Sequence, residues 1–374
     1  MSSENKIPIL SFFTGGGFLD MGFEMAGFEV VWSNEIDNSF SEMYSYAYSN
    51  WSKHFFNNND EKVITYQKSI ESIEPQEILI QAFGNNTPRN FGIIGGPPCQ
   101  DFSAAGHNKG FTGERGKLTK IFLQYIIDMK PSFFVMENVK NLFNNNKHKR
   151  NLFKILKSIQ EYYLIDYGVL NAIHYGVPQD RNRFFLIGLK KGESNINNVF
   201  NKLSFPFPKV NKEYISALTK YNWPTLDKFQ NGVSAPSDIP KDLYVNDCLL
   251  NTDQEKEVPN GDEYFKPHSE KFWTIEEGNT KNRSFKRLHR YRFSPTACYG
   301  NNEVHLHAYL PRRISIREAL RIQSVPDEYV LPKHIGLTQK FKMIGNGVPV
   351  KLAYVIADSL KQLICNGYLE QKET

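Results

Sequence analysis

The sequence predicts an α/β protein: a mostly parallel sheet with helices on both faces, and a smaller loop-rich region inserted late in the chain. Three observations predict it. Short apolar runs at 7–13, 28–32, 91–94, 133–136 and 183–188 alternate with helical periodicity at 18–26, 118–129 and 149–161; such alternation builds parallel sheets. Turn residues or a carboxylate follow several of these runs, at the strand ends where open α/β sheets place their chemistry. From about residue 191 to 310 the chain turns rich in Asn, Lys, Pro and Asp and loses long periodic segments. The expected division is therefore 1–190 plus 311–374 for the sheet, and 191–310 for a second domain of short strands and long loops.

The first run, Ile7 to Phe13, reads as a strand and Thr14-Gly15-Gly16-Gly17 as a tight turn. Residues 18–26 follow as a helix that Gly27 ends. The second strand stops at Asn34-Glu35. A strand, glycine turn, helix, strand and acid suit a nucleoside-containing cofactor, because glycine lets the backbone approach and a carboxylate can accept both ribose hydroxyls. Many α/β folds carry the same unit without that ligand. The aromatic stretch 44–55 reads as a helix packed on the sheet, and Val63-Ile64-Thr65-Tyr66 as a third strand.

Phe91-Gly92-Ile93-Ile94 is too short for a helix and reads as a buried parallel strand. It stops on Gly95-Gly96-Pro97-Pro98, where proline has no N–H to extend a ladder. Cys99 is thereby held at a strand end, ahead of a polar, Gly-rich stretch that suits a nucleophile better than a buried structural thiol. After the 118–129 helix, closed by Pro131, the strand at 133–136 ends in Glu137-Asn138; Gln179-Asp180-Arg181-Asn182-Arg183 precedes the last strand of this half. A thiol, a carboxyl and arginines at the strand ends of one sheet would make a covalent catalyst with electrostatic help. Taken singly, each has an ordinary structural explanation. Further on, Ser315 caps a helix to Gln323, with Glu318 three residues later. A long apolar helix, 348–364, follows Gly345-Asn346-Gly347.

Composition narrows the class. The 374 residues are 40% hydrophobic, enough for a sizeable core, and no apolar run reaches the length of a membrane span. The start lacks a signal-peptide pattern. The four cysteines are far apart, which points to a reducing compartment, no structural disulfide and no metal. A net charge of +5 allows a nucleic-acid partner without requiring one. Lys281, Arg283, Lys286, Arg287, Arg290 and Arg292 cluster among aromatics, with no acid from 278 to 302. That suits phosphates and bases; a solvated basic face is the alternative.

In their order and spacing these segments resemble the DNA (cytosine-5) methyltransferases of the bacterial restriction-modification type, over nearly the whole chain. Phe13-Thr14-Gly15-Gly16-Gly17 is similar to the family's first motif, Ser33-Asn34-Glu35 to the second and Gly96-Pro97-Pro98-Cys99-Gln100 to the catalytic one. Glu137-Asn138-Val139 and Gln179-x-Arg181-x-Arg183 follow, then Arg313 to Tyr329 and Gly345-Asn346-Gly347-Val348-Pro349. The resemblance implies a Rossmann-like S-adenosylmethionine-dependent methyltransferase sheet with a target-recognition domain. It implies methyl transfer from S-adenosyl-L-methionine to C5 of a flipped cytosine in duplex DNA, leaving S-adenosyl-L-homocysteine. Cys99 would add to C6, Glu137 would contact N3 and the exocyclic amine, Arg183 would bond O2, and Arg181 would orient the site.

For the cofactor, the resemblance places Phe13 against adenine, Glu35 on the ribose and Ile36 beside the ring. Gly15, Gly16, Gly17, Phe18, Ser69, Ile70, Pro98, Leu118, Asn346 and Val348 line the rest. Phe18 stands where the family usually has glycine, and Ser69 where an aspartate is common. Gln100 and Ser103 join Arg283, Lys286, Arg287, Arg290 and Arg292 as expected DNA contacts. The resemblance further implies a cytoplasmic monomer that works on double-stranded DNA, with a restriction endonuclease for the same site as a possible counterpart. The rivals are a tRNA cytosine-5 methyltransferase, a catalytically silent DNA-binding module and, more distantly, a nicotinamide dehydrogenase.

Overall fold

The computed structural model describes residues 6–56, 65–98, 114–192, 205–227, 229–230, 232–299 and 304–369. In chain order the first half holds β1 (Ile7–Phe12), α1 (Phe18–Met25), β2 (Phe28–Asn34), α2 (Asn38–Phe56), α3 (Pro75–Phe83), β3 (Gly92–Gly95), α4 (Glu114–Met129), β4 (Phe133–Val139), α5 (Asn141–Asn144), α6 (Asn146–Tyr162), β5 (Tyr163–Asn171) and β6 (Asn182–Lys190). The six strands form one sheet in the order β2-β1-β3-β4-β6-β5. It is parallel from β2 to β4, and β6 runs antiparallel to both of its neighbours. The expected mostly parallel sheet is present.

Side chains alternate between the two faces, as the pleat requires. Ile9, Ile94, Phe133, Val135 and Ile187 join one buried cluster with Phe23 of α1 and Leu352, Ile356 and Leu360 of the C-terminal helix. Their chain neighbours Leu10, Ile93, Phe134, Met136 and Leu186 join another with α3, α4 and α6, through Ile78, Phe122, Ile126, Leu152 and Leu156. Both faces of the central strands are covered, which is why β3 and β4 read as continuous apolar runs.

One expectation needs correction, a second is described only in part, and one helix was not expected. Helix α2 packs away from the sheet: Phe40, Met43, Tyr44, Ala47 and Trp51 share a core with Phe18 of α1 and with Leu320, Tyr329 and Phe341 of the C-terminal region. Of the third strand at 63–66, only Thr65 and Tyr66 are described, and Tyr66 makes a single parallel bridge to Asn34. Helix α3 was not foreseen, although Pro75 at its first turn is a start signal.

Beyond β6 the described segments are short: α7 (Ala217–Lys220), α8 (Gln254–Glu257), α9 (Lys271–Thr274), and the two-residue parallel pair β7 (Lys286–Arg287) with β8 (His305–Leu306). Val245, Leu249 and Leu288 of this stretch are buried in the same core as α2. Regular structure returns in α10 (Ile316–Ile322), α11 (Leu337–Asn346) and α12 (Val350–Leu369). The expected capping box is formed: the Ser315 side chain accepts from the Glu318 N–H, and the Glu318 carboxylate accepts from the Ser315 N–H. Helix α11 was missed by periodicity; it delivers Asn346 and Gly347 to the site. No described helix is long and apolar enough to cross a membrane.

Candidate active site

Topology gathers the motifs. Strands β1 to β4 point the same way, so Phe13, Glu35, Gly96 and Glu137 all lie at or just beyond their carboxyl ends. Strand β6 runs backwards, so its first residues, Asn182 and Arg183, start at that same end. Between them lies a cavity of ≈ 350 Å³, within the usual range for a small-molecule site. Its wall includes Phe13, Gly15, Gly16, Phe18, Glu35, Ile36, Ser69, Ile70, Pro98, Leu118, Glu137, Arg183, Asn346 and Val348. Thr14, Asp20, Lys342, Met343 and Gly347 also line it and were not foreseen. For Lys342, Met343 and Gly347 the available signal was their adjacency to Asn346. Gly17 is not part of the wall: it begins α1 with φ 72°, and a Cβ there would sit 2.3 Å from the Tyr44 ring. Cys99, Gln100 and Ser103 lie outside the described residues.

The deep end is electrostatic. The Arg183 Nε lies 2.8 Å from the Glu137 Oε1, both side chains being nearly buried. Burial raises the Glu137 pKa, and the guanidinium groups of Arg183 and Arg181 pull it back down without cancelling the rise. A Cβ on Gly96 would lie 3.1 Å from Glu137 Oε2, so a side chain at residue 96 would crowd the carboxylate. The Asn138 side chain donates to the Pro97 carbonyl at 3.1 Å and so ties the segment before Cys99 to β4.

Arg181 stands behind the cavity and is fully buried. Its guanidinium donates to the carbonyls of Ala297, Gly345 and Gly347 at 3.0, 2.7 and 2.7 Å. It therefore fastens the end of α11 and the late insert to the start of β6. Gln179 extends the joint, donating to the Ile322 carbonyl and to the Gln323 side chain while accepting from the Ala297 N–H. This is a positioning role.

The other end fits a nucleoside. The Glu35 carboxylate accepts from the Gly15 and Asp37 N–H groups, each at 2.9 Å. Burial raises its pKa, and those N–H groups oppose the rise. Phe13 adopts φ 56°, a left-handed conformation that costs a non-glycine residue on the order of 1 kcal/mol. Ile36 is 60% exposed beside it. An aromatic ring, an exposed aliphatic and a fixed carboxylate form the acceptor-and-surface set that an adenosine needs.

Both departures from the family pattern have structural partners. Phe18 is buried edge-on against Tyr329, with ring centres 5.6 Å apart. Its ring occupies the space a side chain at residue 347 would need, since a Cβ on Gly347 would come 2.3 Å from it. The Tyr329 hydroxyl donates to the Gly16 carbonyl at 2.7 Å, which braces the glycine turn. Ser69 lines the cavity while its hydroxyl accepts from the Glu71 N–H at 3.2 Å.

The basic cluster divides. Arg287 is fully buried and donates to the carbonyls of Ile275, His307, Leu310 and Phe272. Arg290 is buried against Glu277, at 2.8 Å, and donates to the Gln230 carbonyl. Arg287, with no exposure and its guanidinium enclosed by carbonyls, is a brace rather than a phosphate contact, which corrects that expectation; Arg290 commits its Nε and Nη2 to Glu277 and Gln230. Lys281 and Arg283 are exposed and Lys286 is half-buried. The half-buried Arg292 guanidinium lies near the rings of Trp223 and Phe293.

A mostly parallel sheet with a nucleoside-type cavity at its carboxyl edge, ending on a buried carboxylate–arginine pair, defines a cofactor-dependent group-transfer enzyme. The chain belongs to the C-5 cytosine-specific DNA methylase family, whose model matches residues 7–362; it is a DNA cytosine-5 methyltransferase. It is 40% identical to the type II methyltransferase M.NmeDI of Neisseria meningitidis serogroup C, over 98% of this chain and 86% of that one. It is 32% identical to M.FnuDI of Fusobacterium nucleatum, over 98% of both. Among solved structures, a prophage-encoded E. coli protein described as a DNA modification methyltransferase superposes with a TM-score of 0.67 at 24% identity, covering 96% of this chain and all of that one. That likeness shows the fold.

Proposed function

We propose that this enzyme methylates C5 of a cytosine flipped out of a short specific sequence in duplex DNA, through a transient bond between Cys99 and C6. One observation carries the reading: Pro98, which precedes Cys99, lines the same cavity as Glu137 and Arg183 and as Glu35, Ser69 and Asn346. Base chemistry and cofactor binding therefore share one space. C5 of cytosine is a weak nucleophile, and thiolate addition at C6 makes it enamine-like. A free cysteine is only a few per cent thiolate at neutral pH, and the Arg183 and Arg181 charges favour the thiolate.

Glu137, its pKa raised by burial, holds a proton at N3 as the ring becomes electron-rich. Arg183 uses one N–H on Glu137 and one on the Asn182 carbonyl, which leaves donors for O2 of the base. S-adenosylmethionine, when bound against Phe13, Glu35 and Ile36, supplies the methyl group and leaves as S-adenosylhomocysteine. Loss of the C5 proton then releases Cys99. A stacked cytosine exposes neither C6 nor N3 to such a cavity, so the base must leave the duplex, at a few kcal/mol.

The reading extends to organisation. Residues 1–190 and 311–374 supply catalysis and cofactor binding, and 191–310 supply target recognition, with Arg283, Lys286 and Arg292 its candidate DNA contacts. Gln100 and Ser103, beside Cys99, are proposed to touch the target strand. The type II names of the relatives support a place in restriction-modification, opposite an endonuclease of the same site, for a monomer working on cytoplasmic DNA.

The test is trapping. Duplex DNA carrying 5-fluorocytosine should form an adduct with wild-type protein that survives denaturation, since fluorine at C5 blocks the elimination step. Cys99→Ser should form none, while still binding S-adenosylmethionine. Methylation by Cys99→Ser within about tenfold of wild type, a barrier change of about 1.4 kcal/mol, rejects Cys99 as the nucleophile. Preferred transfer to tRNA over DNA replaces the substrate.

A further inference from the structure

Resting on the DNA reading above, we propose that the outer face of helix α6 is a second DNA-binding surface, one that grips the phosphate backbone flanking the target site. Lys147, Arg150, Lys154 and Lys157 recur at spacings of three and four and are all exposed. At 100° per residue they fall within about 80° of one another around the helix axis. The buried residues His148, Leu152, Leu156 and Ile159 lie on the opposite side. The cationic stripe therefore points straight away from the protein.

Charge accounting sets this face apart. Helix α6 carries five lysines and arginines and one acid, Glu161, while the whole chain nets only +5. No carboxylate stands on its exposed side before the last turn. A solvated helix face ordinarily mixes both signs, and pairs at i and i+4 stabilise it; here only Lys157 and Glu161, at the far end, stand in that relation.

The fold gains little from this arrangement: the Lys149 ammonium lies over the Phe143 ring, and Arg150 Nε donates to the Asn146 carbonyl of its own helix. The first turn of α6 holds no acid, and Asn145 alone caps it, accepting from the N–H groups of Lys147 and His148. Lys147, Lys149 and Arg150 crowd the positive end of the helix dipole, which disfavours cations by some tenths of a kcal/mol each. A local rule broken at Lys147, Lys154 and Lys157 for so little return within the fold points to a partner outside the chain.

Position names the partner. Val139 lines the cavity, Lys140 beside it is exposed, and α5 then leads directly into the N-terminus of α6. The stripe starts one short helix beyond the cavity-lining Val139 and runs about 15 Å along α6, the span of about four phosphates on one strand. Insertion into a bilayer is excluded, because the apolar side of the helix is already buried on the sheet. Duplex DNA that delivers one flipped base to the cavity and continues past its rim is the polyanion within reach.

The experiment uses the full chain with Lys147→Gln, Arg150→Gln, Lys154→Gln and Lys157→Gln combined. Helix propensity barely changes, and thermal melting checks the fold. The target sequence is read first by bisulfite sequencing of DNA that the wild type has methylated. Binding is then measured against salt on two duplexes with that target, of about 12 and about 30 base pairs. The variant should lose roughly tenfold or more on the long duplex, its salt slope falling by about two units or more, with the short duplex bound and methylated nearly as before. An unchanged long-duplex slope overturns the proposal, as does an equal loss on both lengths. A structured RNA that displaces long DNA from the wild type but not from the variant also overturns it, by giving the stripe another partner. Failure of the wild type to methylate either duplex would instead strike the underlying reading.

Discussion

Arg183 and Glu137 sit on neighbouring antiparallel strands, and the guanidinium Nε lies 2.8 Å from the carboxylate Oε1. The pair is offset along the ladder, since Glu137 faces Phe185 and Arg183 faces Val139. That offset brings both groups to the same cavity. Each limits the other: the arginine opposes the rise in pKa that burial imposes on the acid, and the acid orients the arginine.

The first prediction concerns the titration of Glu137. Burial raises its pKa above the ordinary 4.5 despite two nearby guanidinium groups. The folded state then holds the proton more tightly than the unfolded chain. Stability from this group is fully present below about 4.5 and is lost as pH rises through the folded value. Urea titrations from pH 4.5 upward should show wild type losing more stability than Glu137→Gln. Parallel curves would mean that the carboxyl titrates alike in both states. Turnover of Glu137→Gln should fall about 10²–10³-fold.

The second concerns the cofactor cavity. Ser69→Asp should tighten S-adenosylmethionine binding by about 1 kcal/mol, because a charged acceptor replaces a neutral one. Aspartate can also keep the hydrogen bond from the Glu71 N–H that Ser69 now accepts. Calorimetry with unchanged or weaker binding, on an intact fold, would remove Ser69 from the adenine site.

Phe18 and Gly347 supply a third. Gly347→Ala places a methyl 2.3 Å from the Phe18 ring and should cost about 1–3 kcal/mol by overpacking. Adding Phe18→Ala should recover part of that loss. A double-mutant cycle in unfolding and in cofactor affinity checks it. Additive effects would show that the two residues do not share the space.

The basic cluster gives the fourth. Arg290→Ala leaves Glu277 buried without its ion-pair partner and should destabilise the fold by about 3–5 kcal/mol. Arg283→Ala should leave unfolding unchanged and flatten the salt dependence of DNA binding by about one unit of slope. Denaturation and salt titrations of both variants separate the roles. The reverse pattern would restore Arg290 as a DNA contact.

Much of this molecule was legible in its residues because the signals are local. A strand, a glycine turn and an acid lie within one short stretch, which marks the glycine turn and Glu35 as a nucleoside-type unit, and the family resemblance adds Phe13; Phe13, Gly15, Gly16 and Glu35 all line the cavity. The apolar cores of β3 and β4 were readable for the same reason, since apolar runs and turn residues are properties of neighbouring positions; that β4 runs on through Glu137 to Val139 is set by its pairing with β6. Tertiary structure decided what depends on distant segments. Nothing near residue 287 shows that carbonyls from residues 272, 275, 307 and 310 will enclose its guanidinium. In sequence Arg283 and Arg287 are the same kind of residue, and only the packing makes one a surface charge and the other a buried brace. Helix α2 reads as a helix from its own side chains, yet the core it joins comes from residues near 320, 329 and 341. Periodicity marks which face of an element is apolar. Which other element covers that face is set by the long-range closure of the chain.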